Sequence, residues 1–310
     1  LTVQACRKAL RESRVPLRDI THTIGVTCTN QGTPGYDLLV HRKLGLAPTV
    51  DRMLLHGVGC AGGLSIMRAA AQIANGSSMV GKPARILAFA CELCTSNVRH
   101  DLAEAQNCPD PDNMSIAGAL FSDAAAAFVL CNEFALRQSE TSPIFELLTW
   151  GNALVPDTMQ HMAFYAAEDG MSCLTPCSAL EELAKIQQGF RTILTRDVPI
   201  YTKQAMKPMF DSLLPRLAMT EALAASDFDW ALHPGGEAIL DGAAEAMHLT
   251  PDQLRASREI YRTRGNSSSP TVLAVLDKLR SYGKNRDHVV ATSFGPGLAI
   301  EMAILKWCKN

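Results

Sequence analysis

The stretch "LLHGVGCAGGLSIMRAAAQIANG", residues 54–76, surrounds one cysteine with glycines and then begins an amphipathic run. Glycine tolerates positive φ and lets main chains approach closely, so Cys60 can be presented by nearly bare backbone. The apolar spacing from Leu64 to Ile73 predicts a helix, which puts Cys60 at or just before a helix N-terminus. The helix dipole there favours a thiolate and makes Cys60 a candidate nucleophile. The competing reading is a small buried residue in a tight turn. Partners elsewhere in the chain decide between the two.

Outward from this stretch, the first half reads as helix (2–13), strand (20–27), a Gly/Pro/Asn loop, the Cys60 helix, strand (85–91) and strand (122–131). The second half reads as helix (203–224), strand (227–232), a glycine loop and helices near 236–247, 251–262 and 270–280. Strand (287–293), a Gly-Pro-Gly turn and strand (298–306) complete it. Both halves share one order of elements, which points to an α/β fold with an internal duplication. The expected division is 1–150, carrying the cysteine, and 151–310. Residues 150–200 look irregular, and 168–189, with Gly170, Pro176 and a short amphipathic helix, read as a surface excursion that the fold can lose.

With 310 residues, 47% of them hydrophobic, the chain can bury a large core. A net charge of −2 without a basic stripe argues against nucleic acid or an anionic membrane as a partner. No apolar run is long enough to span a bilayer. The ten cysteines follow no framework, so a reducing, cytoplasmic setting is expected. Cys91-Glu-Leu-Cys94 has metal-ligand spacing but lacks a second pair, so no metal is expected. The first residues, "LTVQACRKALRES", read as a helix already in progress without an initiator Met, and the chain is expected to be truncated at its N-terminus.

Two segments of the second half offer partners to Cys60. In "WALHPGGEAIL" an apolar strand ends in His233 and glycines follow, where side chains face a site and backbone N–H groups are free. In "RGNSSSPTVLAVLDKL" Asn266 precedes a serine-rich helix start and reads equally as an N-cap. Thiol, imidazole and carboxamide together are what acyl transfer through a thioester requires.

The segments "GVGCAGG", "ALFSDAAAAFVL", "DWALHPGGEAIL", "RGNSSS" and "SFGPGLAIE" resemble, in order, the signatures of type III polyketide synthases, the chalcone-synthase-like enzymes of the thiolase fold. "CELCTS" is closer to microbial, especially fungal, members. The resemblance implies a thiolase-like αβαβα layering of duplicated halves, a homodimer, and coenzyme A thioesters as substrates with no separate cofactor. It assigns Cys60 as the acyl carrier, and His233 and Asn266 as the groups that act on malonyl-CoA. It places Phe121 and Phe190 between the CoA tunnel and the cavity. Cys28, Thr33, Cys94, Ser268, Gly235, Gly236, Gly295 and Pro296 fall at further substrate-site positions, with Thr33 reaching a cavity from the partner subunit. Ser293 stands where the family has glycine, and "LFSDA" replaces "LFGDG" at 120–124.

The implied reaction loads an acyl-CoA starter on a Cys60 thiolate paired with His233. Decarboxylative condensation with malonyl-CoA then extends it, and cyclisation gives pyrone or resorcinol products from a medium- or long-chain starter. Rivals that share the fold are a priming ketoacyl-ACP synthase and a hydroxymethylglutaryl-CoA synthase. The first usually has His-Gln-Ala-Asn in place of His-Pro-Gly-Gly, and the second needs a glutamate upstream of its cysteine. An inactive truncated paralogue is the remaining alternative.

Overall fold

The computed structural model describes residues 1–30, 32–96, 102, 105–111, 114, 117–138, 142–167, 189–217 and 223–308. Alternation of apolar residues on two strand sets builds two sheets, each sandwiched between helices. The first sheet has the order β2-β1-β3-β4, from β1 (His22–Val26), β2 (Asp51–Leu55), β3 (Arg85–Glu92) and β4 (Ala124–Cys131). Here β1 runs parallel to β2 and β3, and β4 antiparallel to β3. The second has the order β5-β10-β9-β8, from β5 (Phe145–Leu154), β8 (Phe228–Leu232), β9 (His288–Gly295) and β10 (Ala299–Trp307). Its β8 and β9 are parallel, and β10 is antiparallel to both neighbours. The parallel pair followed by an antiparallel strand recurs in both sheets, so the duplication expected from element order is real in pairing direction.

Side-chain alternation assigns the layers. On β3, Ile86, Ala88 and Ala90 enter a central core, while Leu87 and Phe89 face Cys6 of α1 (Thr2–Ser13) and Val40 of α2 (Tyr36–Leu44). On β9, Val289 and Ala291 enter the same central core from the other sheet. The middle layer is α3 (Gly62–Met79), α6 (Arg255–Arg264) and α7 (Thr271–Tyr282). The outer faces of β8, β9 and β10 bury Trp230, Val290 and Met302 against Met206 and Phe210 of α4 (Val198–Leu213) and Leu240 of α5 (Glu237–Met247). The result is the thiolase-like αβαβα stack. No helix among the described residues is long and apolar enough to cross a membrane.

The structure departs from the sequence reading in three places. Residues 150–200 are not irregular throughout: β5 runs to Leu154, and β6 (Met162–Ala167) pairs antiparallel with β7 (Gly189–Leu194). An edge strand and an arm outside both sheets carry weak alternation, and their pairing comes from partners distant in sequence. The helix expected at 203–224 is α4, which starts at Val198 with Pro199 in its first turn and gives way to a 3-10 turn containing Pro215. The 27–60 interval also contains α2 and β2. The division at 150/151 falls inside β5, which pairs with β10 of the second sheet along its length. The excursion at 168–189 lies outside the described residues except for Gly189, which opens β7.

Two glycines of α3 should respond oppositely to alanine. A Cβ on Gly63 would lie 2.5 Å from the Ser269 carbonyl oxygen and 2.7 Å from Val272 Cγ1, whereas one on Gly76 would meet nothing within 4 Å. Gly63→Ala is expected to destabilise by about 1–3 kcal/mol through overpacking. Gly76→Ala is expected to stabilise by about 0.4–1 kcal/mol through the unfolded chain. Equilibrium urea unfolding of the two variants checks both signs.

Candidate active site

Cys60 sits in a 3-10 turn, Gly59–Ala61, that feeds directly into α3. The glycines around it make room for other segments. Gly59 has φ 45, and a Cβ there would come within 2.5 Å of Pro296 Cδ. A Cβ on Gly62 would lie 2.8 Å from Ser269 Cβ, and one on Gly295 would lie 2.5 Å from the Val58 carbonyl oxygen. The Cys60 turn is therefore wedged between the 266–270 loop and the Gly-Pro-Gly turn after β9, at distances only glycine allows.

That wedge brings the three chemistry-bearing groups into one pocket. Cys60 Sγ donates toward Ser268 Oγ at 3.4 Å and stands 3.9 Å from Asn266 Oδ1. Asn266 Nδ2 points back at the sulfur from 4.0 Å. His233 follows the last residue of β8, anchored by its N–H to the Thr292 carbonyl at 2.8 Å. It is buried, and neither ring nitrogen has a hydrogen-bond partner among the described residues. A Cβ on Gly235 would lie 3.7 Å from His233 Nε2 and 2.8 Å from Ile239 Cδ1, so glycine clears space beside the ring.

Asn266 is not the N-cap of α7, which starts five residues later after Pro270, a cap without a side-chain hydrogen bond. Its Oδ1 instead accepts the Ser268 N–H at 2.8 Å, while its backbone bridges Leu120 and Ser122. The turn consumes the acceptor of the carboxamide and leaves the NH2 facing the thiol.

The pocket holds about 750 Å³ of empty space, counting its open mouth. Of the expected positions, Cys28, Cys94, Phe121, Gly235, Ser268 and Pro296 line it with Cys60, His233 and Asn266. Gly295 and Gly236 do not: Gly295 acts through its contact with the Cys60 turn, and Gly236 caps α5. Thr33 is exposed and faces no part of this chain's own pocket. The backbone of Phe190 pairs with Ala166 in the β6–β7 arm, and its side chain lies outside the described residues. Cys91, the other half of the Cys-x-x-Cys spacing, bonds to Thr2 of α1 and not into the pocket.

Sequence reading missed the apolar wall formed by Met162, Ala163, Phe164 and Leu194, which belongs to the arm taken as irregular, and also Ile239 and Phe294. It also missed Glu92, which is fully buried at the end of β3. Its carboxylate accepts from the Cys28 and Thr29 N–H groups, from the Thr27 and Thr29 hydroxyls, and from Ser269 Oγ at 2.5 Å. The run of Thr, Cys and Thr at 27–29 facing an acid at a strand end was the available signal.

Burial dominates the electrostatics. It pushes the Cys60 thiol up to about 11, assisted by the negative charge of Glu92 and opposed by the hydrogen bonds to Ser268 and Asn266. It pushes the His233 imidazole down to about 3. Burial thus works against the thiolate that the helix start is expected to favour, because a lone charge there would be desolvated.

A cysteine, a histidine and an asparagine meeting from two halves of a thiolase-like fold define a cysteine-dependent acyltransferase. Residues 1–133 match the N-terminal domain, and residues 175–308 the C-terminal domain, of the chalcone and stilbene synthases. The chain is 64% identical to a type III polyketide synthase of Penicillium soppii, over 100% of this chain and 76% of that protein. It is 38% identical to an acylalkylpyrone synthase of Aspergillus oryzae, over 93% of this chain and 69% of the relative. The crystal structure of a type III pentaketide synthase from Neurospora crassa superposes with a TM-score of 0.86 at 37% identity, covering 99% of this chain and 78% of that one. The chain belongs to the chalcone and stilbene synthase family and is a type III polyketide synthase.

The thiol environment yields a signed test. Ser268→Ala removes a hydrogen bond that lowers the Cys60 pKa, so the pH profile of Cys60 alkylation by iodoacetamide should move to higher pH. Glu92→Gln removes a charge that raises it, so the profile should move to lower pH. Shifts in the same direction would contradict this account of the thiol's surroundings.

Proposed function

We propose that this chain loads an acyl-CoA starter on Cys60, extends it with malonyl-CoA, and releases a pyrone- or resorcinol-type product. The observation that carries the reading is the Cys60 sulfur held by Ser268 and Asn266 in the same pocket as an unpartnered, buried His233. As the thioester carbonyl approaches, His233 takes the Cys60 proton on Nε2. The sulfur forms its bond to the carbonyl carbon, and CoA thiolate leaves to be protonated by solvent. The new imidazolium and the transient thiolate offset each other's desolvation.

Nε2–H then remains in place as a donor. Malonyl-CoA enters, its C–C bond to the carboxylate breaks, CO2 leaves, and the electron pair forms an enolate. His233 Nε2–H and Asn266 Nδ2–H hold the enolate oxygen, and the enolate carbon attacks the Cys60 thioester. Chain transfer to CoA frees the Cys60 sulfur, which takes its proton back. Loss of CO2 drives the condensation, and the steps use this chain's side chains and the CoA thioesters alone.

The apolar wall of Met162, Ala163, Phe164, Leu194 and Ile239 suits an aliphatic starter of medium or long chain, and the name of the Aspergillus oryzae relative supports a pyrone product. A homodimer is proposed from exposed Thr33 beside exposed Leu38, Leu39 and Met53 on α2 and the edge strand β2, where a second copy would also cover apolar surface. A reducing, cytoplasmic setting fits eight described cysteines joined by no disulfide.

Two variants test the roles. Cys60→Ala is expected to form no covalent adduct with a radiolabelled acyl-CoA, and an adduct persisting on Cys28, Cys91 or Cys94 would move the nucleophile there. Asn266→Ser keeps a side-chain oxygen for the turn but is too short to reach the enolate. It is expected to keep its melting temperature and its Cys60 adduct while releasing CO2 from malonyl-CoA roughly a hundredfold more slowly. Wild-type decarboxylation in that variant would leave His233 as the sole donor.

A further inference from the structure

At the edge of the central core an ion pair ties α3 to β10: Glu301 is buried, while 26% of the Arg68 side chain remains exposed. Arg68, on α3, donates from Nη2 to Glu301 Oε1 at 2.7 Å and from Nε to Glu301 Oε2 at 3.1 Å. Glu301 lies on β10 on the face that also carries Ala303 and Leu305, and only 5% of it is exposed. Ser65, one turn earlier on α3, bonds the same Oε1 at 3.0 Å and lies 3.1 Å from the Ala61 carbonyl oxygen. A buried ion pair contributes little net stability compared with apolar residues of the same volume, because both charges lose water. A two-bond fork does what a greasy contact does not: it permits a single register between helix and strand.

That register is the one catalysis needs. Ala61 is the neighbour of Cys60. Glu301 pairs across the sheet with Ser293, whose neighbour Thr292 accepts the backbone N–H of His233 at 2.8 Å. Glu301 thus stands between the two groups: through Arg68 and Ser65 it holds the helix that follows the Cys60 turn, and it lies across from the strand that anchors the His233 backbone. The two groups sit on different halves of the fold; the glycine contacts fix the start of α3, and the fork adds a directional tie to β10 further along the helix. We propose that Glu301 and Arg68 are positioning residues that set the separation of Cys60 and His233. This rests on the reading of Cys60 as nucleophile and His233 as its base.

His233 and Asn266 both belong to the second half, so their joint action on malonyl-CoA depends less on the placement of α3 than acyl transfer to Cys60 does. The fork should therefore matter far more for acyl loading than for decarboxylation. The test is the double variant Arg68→Met with Glu301→Leu, an apolar pair that keeps the core filled, beside Arg68→Lys, which keeps the charge but loses the fork. Three rates are compared with the wild type: Cys60 adduct formation from an acyl-CoA, CO2 release from malonyl-CoA alone, and the thermal melt. The double variant is expected to melt at or above the wild type and to load at least about tenfold more slowly, a loss in line with a displacement of a fraction of an ångström to one ångström. CO2 release should stay within about twofold, and Arg68→Lys should show the same split more weakly. Loading at the wild-type rate in either variant, or loading and CO2 release falling in parallel, would overturn the proposal. A wild type that forms no Cys60 adduct would instead sink the underlying reading of the nucleophile.

Discussion

Everything at the site depends on how closely the Cys60 turn can approach backbone from the other half of the chain. Gly59, Gly62, Gly63 and Gly295 each stand where a single methyl group would collide with Pro296, Ser269 or Val58. Without those approaches the thiol of one half and the carboxamide of the other would be separated by a side-chain layer, too far for the sulfur to feel Asn266 Nδ2. The duplication supplies two similar frames, and the glycines let the frames interlock at one point.

Burial then decides the charge state. The same exclusion of water that raises the thiol and lowers the imidazole also means that any charge formed during turnover is poorly screened. Donors placed beside the sulfur act with more force than they would in water, and the Glu92 charge acts in the opposite sense. The protein offsets this by fully occupying the Glu92 carboxylate with backbone and hydroxyl donors from 27–29 and Ser269, so the loop that carries Cys28 is held as part of the same network.

The legible part of this molecule was the part whose signal is local. The continuous apolar runs at 86–90 and 230–232, and the helical spacing after Cys60, depend on neighbours in sequence, and they gave the duplicated α/β frame and the cysteine, histidine and asparagine of the pocket. The β6–β7 arm was not legible, because its strands are held by each other and by the turn after β9, and neither partner is near in sequence. Asn266 was read as a possible cap since it precedes serines and a helix; only the position of Pro270 shows that the helix begins later. Glu301 was passed over because an acid within an apolar strand gives no hint of its partners, which arrive from 65 and 68, and Glu92 because its cue, the hydroxyls at 27 and 29, lies 65 and 63 residues away.

The base of the β6–β7 arm is tied to the turn after β9 by bonds from the Gly297 N–H to the Met162 carbonyl, from the Thr158 hydroxyl to the Gly297 carbonyl and from the Val155 N–H to the Leu298 carbonyl. Beyond those points the arm shares no strand ladder with either sheet, yet it supplies Met162, Ala163, Phe164 and Leu194 to the pocket. Part of the pocket wall is thus carried by a strand pair of its own, while Cys60, His233 and Asn266 sit on loops of the two main sheets and their middle layer, so the room beside those three side chains is set in part by a segment that belongs to neither ladder.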